Sequence, residues 1–141
     1  MLKIGGYINI LIAFGHIVGL LWADKMFEVT GVGKEMTELA QIHFSLPYLL
    51  TIFVSIVFFI FGLYGLSVDN KIIKLPFLKF GIFLIAGIYL FRGLGELIVD
   101  GLKGTNSTNG TVYSIIALTI GLFFLIGGLK KWKLATKTTN R

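Results

Sequence analysis

The sequence predicts an all-α membrane protein: an antiparallel bundle of four transmembrane helices, with a short extracytoplasmic amphipathic helix between the first and second spans. Hydrophobic residues make up 55% of the 141 residues and charged residues 14%, whereas soluble domains average about 45–50% and 25%. The apolar residues gather in four long runs, and a bilayer-spanning helix needs about 20 of them. Four spans and their loops use the whole length, which predicts a single domain.

The first predicted span covers residues 4–22, and we interpret it as retained rather than cleaved. A cleavage after Ala23 would put Leu21 where a signal peptidase needs a small residue. The second span covers residues 46–66, with Ser45 as its N-cap and Pro47 in its first turn. The third span covers residues 76–99 and the fourth 111–129, followed by a basic cytoplasmic tail at 130–141.

The positive charges predict the orientation of the spans. The N-terminus, residues 68–80 and residues 130–141 together hold nine Lys and Arg against one acid, whereas residues 23–45 and 97–112 hold three Lys against five acids. Positive flanks stay in the cytoplasm. We therefore expect the protein to lie in the inner (plasma) membrane of a bacterium with both termini in the cytoplasm. The net charge of +6 is a topology signal on this interpretation, and we predict no nucleic-acid partner.

The longest loop carries the predicted amphipathic helix. In the segment GKEMTELAQIHF, Met36, Leu39, Ala40 and His43 recur at helical spacing, while the acidic residues fall on the other faces. Such a helix lies on the outer face of a bundle or in the membrane interface.

The third span holds the charged residues that make the best candidate site. Tyr89, Arg92 and Glu96 follow one another at helical spacing, so they share one face. An Arg or Asp at mid-bilayer costs about 2.5–3.5 kcal/mol on insertion scales, so such residues usually face the bundle interior and pair. Arg92 and Glu96 can pair within their own helix, which leaves open whether they are functional or a structural ion pair.

His16 in the first span completes the candidate ligand site of His16, Tyr89, Arg92 and Glu96. It lies six residues, about 9 Å, inside the outer end of its span, close to the predicted depth of Arg92. Asn9 shares its face, and hydrogen bonding of both residues to neighbouring helices is the alternative. We predict no metal site, because His43 lies more than about 10 Å from the depth of His16 and no ligand spacing stands out.

These features predict a small integral membrane protein that binds a small or lipid-like ligand, or a partner, through an outward-facing polar pocket. Glycines such as Gly15 and Gly19 favour close helix packing, in this chain or in a homo-oligomer. The alternatives are a membrane-embedded redox or lipid-modifying enzyme that uses His16 and Glu96 as acid and base, and an accessory subunit of a membrane complex. The span pattern, and nothing beyond it, is similar to that of small four-helix bacterial membrane families such as the DoxX-like proteins.

Overall fold

The computed structural model describes residues 1–69, 74–103 and 108–138, and within these ranges the chain is helical without a strand. Two single-turn 3-10 helices, Leu20–Trp22 and Ser67–Asp69, extend the ends of two of the longer elements. The six α-helices are α1 (Leu2–Gly19), α2 (Ala23–Val29), α3 (Gly33–Ile42), α4 (Leu46–Leu66), α5 (Leu78–Lys103) and α6 (Thr108–Thr138).

Four of these segments are long and apolar enough to cross a membrane, which supports the predicted membrane class. They are Leu2–Val29, Leu46–Asp69, Leu78–Leu102 and Thr108–Lys133. The fourth helix is longer than the predicted span, since α6 continues through the basic residues to Thr138. Lys and Arg favour the helical state as strongly as most apolar residues do, so the helix continues after the apolar run has ended.

The start of the third span differs from the prediction. Pro76 does not lie in the first helical turn, because α5 begins at Leu78. Between them Phe77 has a φ of 51°, a conformation that a bulky residue rarely adopts. The amide of Gly81 then donates to the Phe77 carbonyl at 2.9 Å. At its other end α5 runs to Lys103 instead of ending near Val99.

Glycines bring α1 and α4 together along much of their length. A Cβ at Gly6 would lie 2.9 Å from the Gly62 carbonyl oxygen, and a Cβ at Gly65 would lie 2.7 Å from the Gly6 Cα. Farther along, the Ser55 hydroxyl donates to the Ala13 carbonyl at 2.8 Å. As residue numbers rise along α1, the contacting positions on α4 therefore fall, and small residues on both helices let the backbones touch.

A second close pair is formed by α5 and α6, and α1 joins the two pairs. A Cβ at Gly93 would lie 2.9 Å from the Ser114 carbonyl oxygen. Phe124, which is fully buried, packs against Gly5 of α1. The buried core comprises Leu2, Val68, Ile82, Ile85, Ala86, Tyr89, Ala117, Ile120 and Phe124.

Three charged residues, Lys3, Asp69 and Lys131, join three segments of the chain at one end of the protein. We name this end the terminal end. The Lys3 ammonium lies 2.8 Å from an Asp69 carboxylate oxygen, and Lys131 approaches the other oxygen at 3.3 Å. Lys131 also donates to the Val68 carbonyl. Because the three residues are partly exposed, this network contributes little stability on its own, but it fixes which helix ends meet.

The opposite end, which we name the far end, carries α2 and α3. The Tyr113 hydroxyl and the Asn109 amide of α6 both donate to the Val29 carbonyl at 3.3 Å. A helix occupies the first loop as predicted, and on α3 Met36 and Leu39 are half-buried while Glu35 and Glu38 are exposed. The other two members of the predicted apolar face differ, since Ala40 is exposed and His43 is the exposed residue after the end of the helix.

The start of α4 carries both of the predicted N-terminal features, and one of them acts differently from the prediction. Ser45 occupies the N-cap position and Pro47 lies in the first turn. The Ser45 hydroxyl, however, lies 2.7 Å from His43 Nδ1 and makes no cap hydrogen bond to the helix. A neighbouring imidazole therefore takes the place of the backbone amides that an N-cap side chain usually binds.

We predict that Gly65→Ala destabilises the protein by about 1–3 kcal/mol, the usual cost of overpacking a close contact. The new methyl group would press on the Gly6 backbone, which cannot rotate away. Gly87→Ala is the matched control, since nothing lies within 4 Å of a Cβ there. Thermal unfolding in detergent measures both, and equal midpoints for the two variants would contradict the packing argument.

Candidate functional site

A single hydrogen bond crosses the buried core between α1 and α5. The Tyr89 hydroxyl donates to Asn9 Oδ1 at 2.5 Å, and the Asn9 amide donates to the Gly5 carbonyl at 2.8 Å. Asn9 is 0% exposed, so these bonds satisfy polar atoms that could otherwise find no water. The rings of Phe58 and Phe61 on α4 pack against Tyr89, with centroids 6.4 and 6.1 Å away.

His16 lies on the same face of α1 as Asn9, seven residues farther along, and is half-buried. Its Nδ1 lies 2.8 Å from the Ile12 carbonyl oxygen. Because a carbonyl only accepts, Nδ1 carries the hydrogen, and Nε2 of the neutral ring keeps a lone pair. The imidazole packs against Phe58 at 5.3 Å, so one phenyl ring touches both His16 and Tyr89.

Arg92 and Glu96 form the predicted pair within α5, but the contact is loose. Arg92 Nε lies 4.0 Å from a Glu96 carboxylate oxygen, with 60% of the Arg92 side chain and 35% of the Glu96 side chain exposed. Arg92 stands at the border between the buried face of α5 and its exposed face, whereas Glu96 lies on the face of Tyr89. The expectation that both charges face the interior holds better for Glu96 than for Arg92.

The Asn9–Tyr89 bond gives a common reference point for counting along α1 and α5. His16 follows Asn9 by seven residues and Glu96 follows Tyr89 by seven, and seven residues rise about 10 Å. Arg92 follows Tyr89 by three residues, so along α5 it lies about 6 Å nearer this bond than Glu96 does. The equal depth of His16 and Arg92 stays a prediction.

Burial beyond the Asn9–Tyr89 bond differs between the helices. On α1 the last buried residue is Ala13, and on the described part of α5 the last is Gly93, whereas Thr51 on α4 and Ser114 on α6 are buried toward the far end. His16 and Glu96 are half-buried although they continue the buried faces of their helices. We give the name polar cleft to the set of polar side chains His16, Arg92 and Glu96, with Tyr89 and Asn9 on its core side.

The alternative expected for Asn9, a hydrogen bond to a neighbouring helix, is confirmed by its bond to Tyr89 of α5, although no local pattern identifies a partner 80 positions away. His16 instead bonds to the Ile12 carbonyl of its own helix. Sequence reasoning missed one buried polar residue beside this region. Ser114 of α6 is fully buried beside Gly93, and its hydroxyl has no hydrogen-bond partner among the described residues. A serine in an apolar run is ordinarily bonded to the carbonyl one turn earlier, so the sequence offered no signal for it.

The structure separates His43 from the cleft. His43 is exposed, lies 2.7 Å from the Ser45 hydroxyl and stacks on Phe44 with ring centroids 4.9 Å apart. Within the described ranges, no three His, Asp or Glu side chains come together as metal ligands.

Two surface depressions also lie away from the polar cleft. One of about 480 Å³ is lined by residues 77–80 and Phe83, and one of about 390 Å³ lies around Trp22 and Met26. The ring of Trp132 packs against Phe83 at 5.8 Å beside the first depression. Aromatic and lysine side chains of this kind are typical of the membrane–water boundary.

The comparisons with family models, curated proteins and solved structures find no match for this chain. The polar side chains of the site can offer a guanidinium as a hydrogen-bond donor, and a carboxylate and an imidazole nitrogen as acceptors, beside the aromatic rings of Phe58 and Tyr89.

We predict that Tyr89→Phe destabilises the protein because Asn9 Oδ1 loses its partner in a dry core. The cost lies between about 0.6 kcal/mol, the average for hydrogen bonds between membrane helices, and about 3 kcal/mol for a buried acceptor left unpaired. Thermal unfolding in detergent measures it, with Tyr7→Phe, a change at an exposed tyrosine, as the control. No difference between the two variants would show that the bond contributes nothing to stability.

Proposed function

We propose that the four apolar helices form an antiparallel bundle across the bacterial inner membrane, with both termini in the cytoplasm. Two observations support this. The contacts of α1 with α4 run in opposite directions along the two helices. The terminal end holds Lys3 and Lys131, and the sequence flanks on that side carry nine Lys and Arg against one acid. Such charges are retained on the cytoplasmic side. On this orientation the polar cleft opens outward, and α3 lies outside the cell.

We further propose that the protein binds a lipid-like ligand with an acidic or polarised oxygen through the polar cleft. Arg92 holds that oxygen, Glu96 orients Arg92 or exchanges a proton, and His16 completes the cleft above Tyr89. The aromatic floor and the packed core toward the cytoplasmic end support a binding site that is open on one side only.

The exposure of Arg92 is the observation that carries this proposal. Arg92 lies 14 residues after the start of α5 and 11 before its end, close to the middle of a helix whose other charged residues lie nearer its two ends. A charge there is costly unless it is paired, yet its contact with Glu96 is 4.0 Å long and leaves 60% of the side chain uncovered. A guanidinium has five donors, so a ligand or partner that covers it would gain several hydrogen bonds.

A second candidate function is the docking of another membrane helix on α5. A Cβ at Gly87, Gly95 or Gly101 would meet nothing within 4 Å, and Phe91 beside them is exposed. Open glycines on a span let a partner helix approach closely. A homo-oligomer or an accessory role in a larger complex would use this face, which adjoins Arg92.

The orientation can be tested by cysteine labelling, because the chain has no cysteine of its own. We expect a membrane-impermeant maleimide to label Thr37→Cys on intact cells and Lys130→Cys only after the cells are permeabilised. Both positions are exposed in the structure. Labelling of Lys130→Cys on intact cells would overturn the proposed orientation.

Ligand binding can be tested by native mass spectrometry of the protein released from mild detergent. We expect a discrete additional mass on the wild type that is lost in Arg92→Gln and in Glu96→Gln. Lys79→Gln removes a charge near the start of α5, away from the polar cleft. It is the matched control and should keep the mass.

The other outcomes separate the two candidate functions. A dimeric wild type without added mass, and a monomeric Gly95→Leu variant, would favour helix docking over ligand binding. An added mass that survives Arg92→Gln would place the ligand elsewhere and overturn the role of the cleft.

A further inference from the structure

We propose that the depression at the start of α5 binds an anionic phospholipid, with its phosphate at Lys79 and an acyl chain along the exposed face of α5. This site lies apart from the polar cleft and goes beyond the proposed function, since it requires neither Arg92 nor the ligand proposed there. The inference follows from the level of the depression in the membrane, from the residues that line it and from the charges around it.

The depression lies at the level of the lipid headgroups. Its lining residues, 77–80 and Phe83, are found at the beginning of the apolar segment Leu78–Leu102, which has 25 residues. A helix of that length rises about 37 Å, whereas the hydrocarbon core of a bilayer is about 30 Å thick. When the two ends share the excess, Lys79 lies beside the headgroups and Phe83 lies within the hydrocarbon. The ring of Trp132 packs against Phe83 at 5.8 Å, as expected of a tryptophan at this boundary.

The lining of the depression suits a molecule with one charged group and an apolar chain. The depression has a volume of about 480 Å³, and Lys79 is the one charged residue among the five described residues that line it. From Phe80 an exposed apolar face continues along α5 through Leu84 and Phe91, which follow at helical spacing. Nothing lies within 4 Å of a Cβ at Gly87 on this side of the helix, so an acyl chain can lie directly against the backbone there.

Within the described ranges the protein supplies no counter-charge for Lys79. The lysine is exposed and takes part in none of the ion pairs found in those ranges. Asp69 is the single acid in the basic flanks of the sequence, and Lys3 and Lys131 already approach its two carboxylate oxygens. At this level of the membrane a lipid phosphate can supply the negative charge. An anionic headgroup is favoured over a zwitterionic one, because it brings no positive charge of its own close to the lysine.

The second depression offers a comparison within the same protein, because it is of similar size but has different charges. It has a volume of about 390 Å³, and its lining includes Trp22 and Lys25. Asp24 and Glu28 lie one and three residues from Lys25 on the same short helix, α2, so the charge of this helix is negative overall. We therefore expect this depression to show no preference for an anionic lipid.

The two tryptophans of the chain, Trp22 and Trp132, report on the two depressions separately. The test uses the full-length Trp22→Phe variant, which keeps only Trp132, in phosphatidylcholine vesicles that contain equal fractions of either brominated phosphatidylglycerol or brominated phosphatidylcholine. Bromine on an acyl chain quenches the fluorescence of a tryptophan that it contacts. We expect the anionic lipid to quench Trp132 more strongly. Adding Lys79→Gln should lower the affinity for phosphatidylglycerol about fivefold relative to phosphatidylcholine, which is the contribution of one lysine beside an anionic lipid.

Trp132→Phe, which keeps only Trp22, is the matched control and should be quenched equally by the two lipids. Equal quenching of Trp132 by both lipids would overturn the proposed site, and so would a preference that persists in Lys79→Gln. A preference of the same size at Trp22 would show that the net charge of the protein attracts the lipid, and it would overturn the site as well. The thermal unfolding midpoint of Lys79→Gln should equal that of the wild type, because the side chain is exposed.

The phospholipid site and the polar cleft can fail independently of each other. The mass of the cleft ligand should be lost in Arg92→Gln and kept in Lys79→Gln, whereas the preference for phosphatidylglycerol should be lost in Lys79→Gln and kept in Arg92→Gln. Loss of that preference in Arg92→Gln would place the anionic lipid at the cleft and overturn the site at Lys79.

Discussion

The hydrogen bond between Tyr89 and Asn9 is the constraint on which the rest of the structure depends. It joins α1 to α5, which share few other contacts, and it pairs the polar atoms of two residues that are both buried in the core. In a bilayer neither side chain could find water, so the two groups favour the one register in which they meet. Counted along the two helices from that bond, His16 and Glu96 each lie seven residues, about two helical turns, farther on.

Two kinds of interaction hold the helices together: close packing at glycines and hydrogen bonds from polar residues. In lipid, apolar side chains gain little by meeting one another, so close backbone packing and hydrogen bonds provide the attraction. Gly6, Gly62 and Gly65 allow the backbones of α1 and α4 to pack closely. Ser55 adds a hydrogen bond between the same two helices by donating to the Ala13 carbonyl.

Hydropathy was enough to predict four helices long and apolar enough to cross a membrane, and the helix in the first loop, because both patterns are local along the chain. The boundaries at Phe77 and Lys103 could not be predicted, since helix ends depend on backbone geometry and charged residues continue a helix well. For the site, the sequence identified His16, Arg92 and Glu96 as polar or charged side chains whose placement in an apolar run costs free energy. It could not identify their relative levels, because the pairing of Asn9 with Tyr89 is a tertiary contact across 80 positions.

The loose contact between Arg92 and Glu96 leaves a costly charge poorly covered. Isolated charges in a medium of low dielectric are expensive, so charged groups within a membrane usually keep a close partner. Here the Arg92 nitrogen and the Glu96 oxygen are 4.0 Å apart, and 60% of the Arg92 side chain is exposed. A ligand or a partner helix that brings a hydrogen-bond acceptor to Arg92 would therefore reduce the cost of this charge, while Glu96 stays one turn away on the same helix.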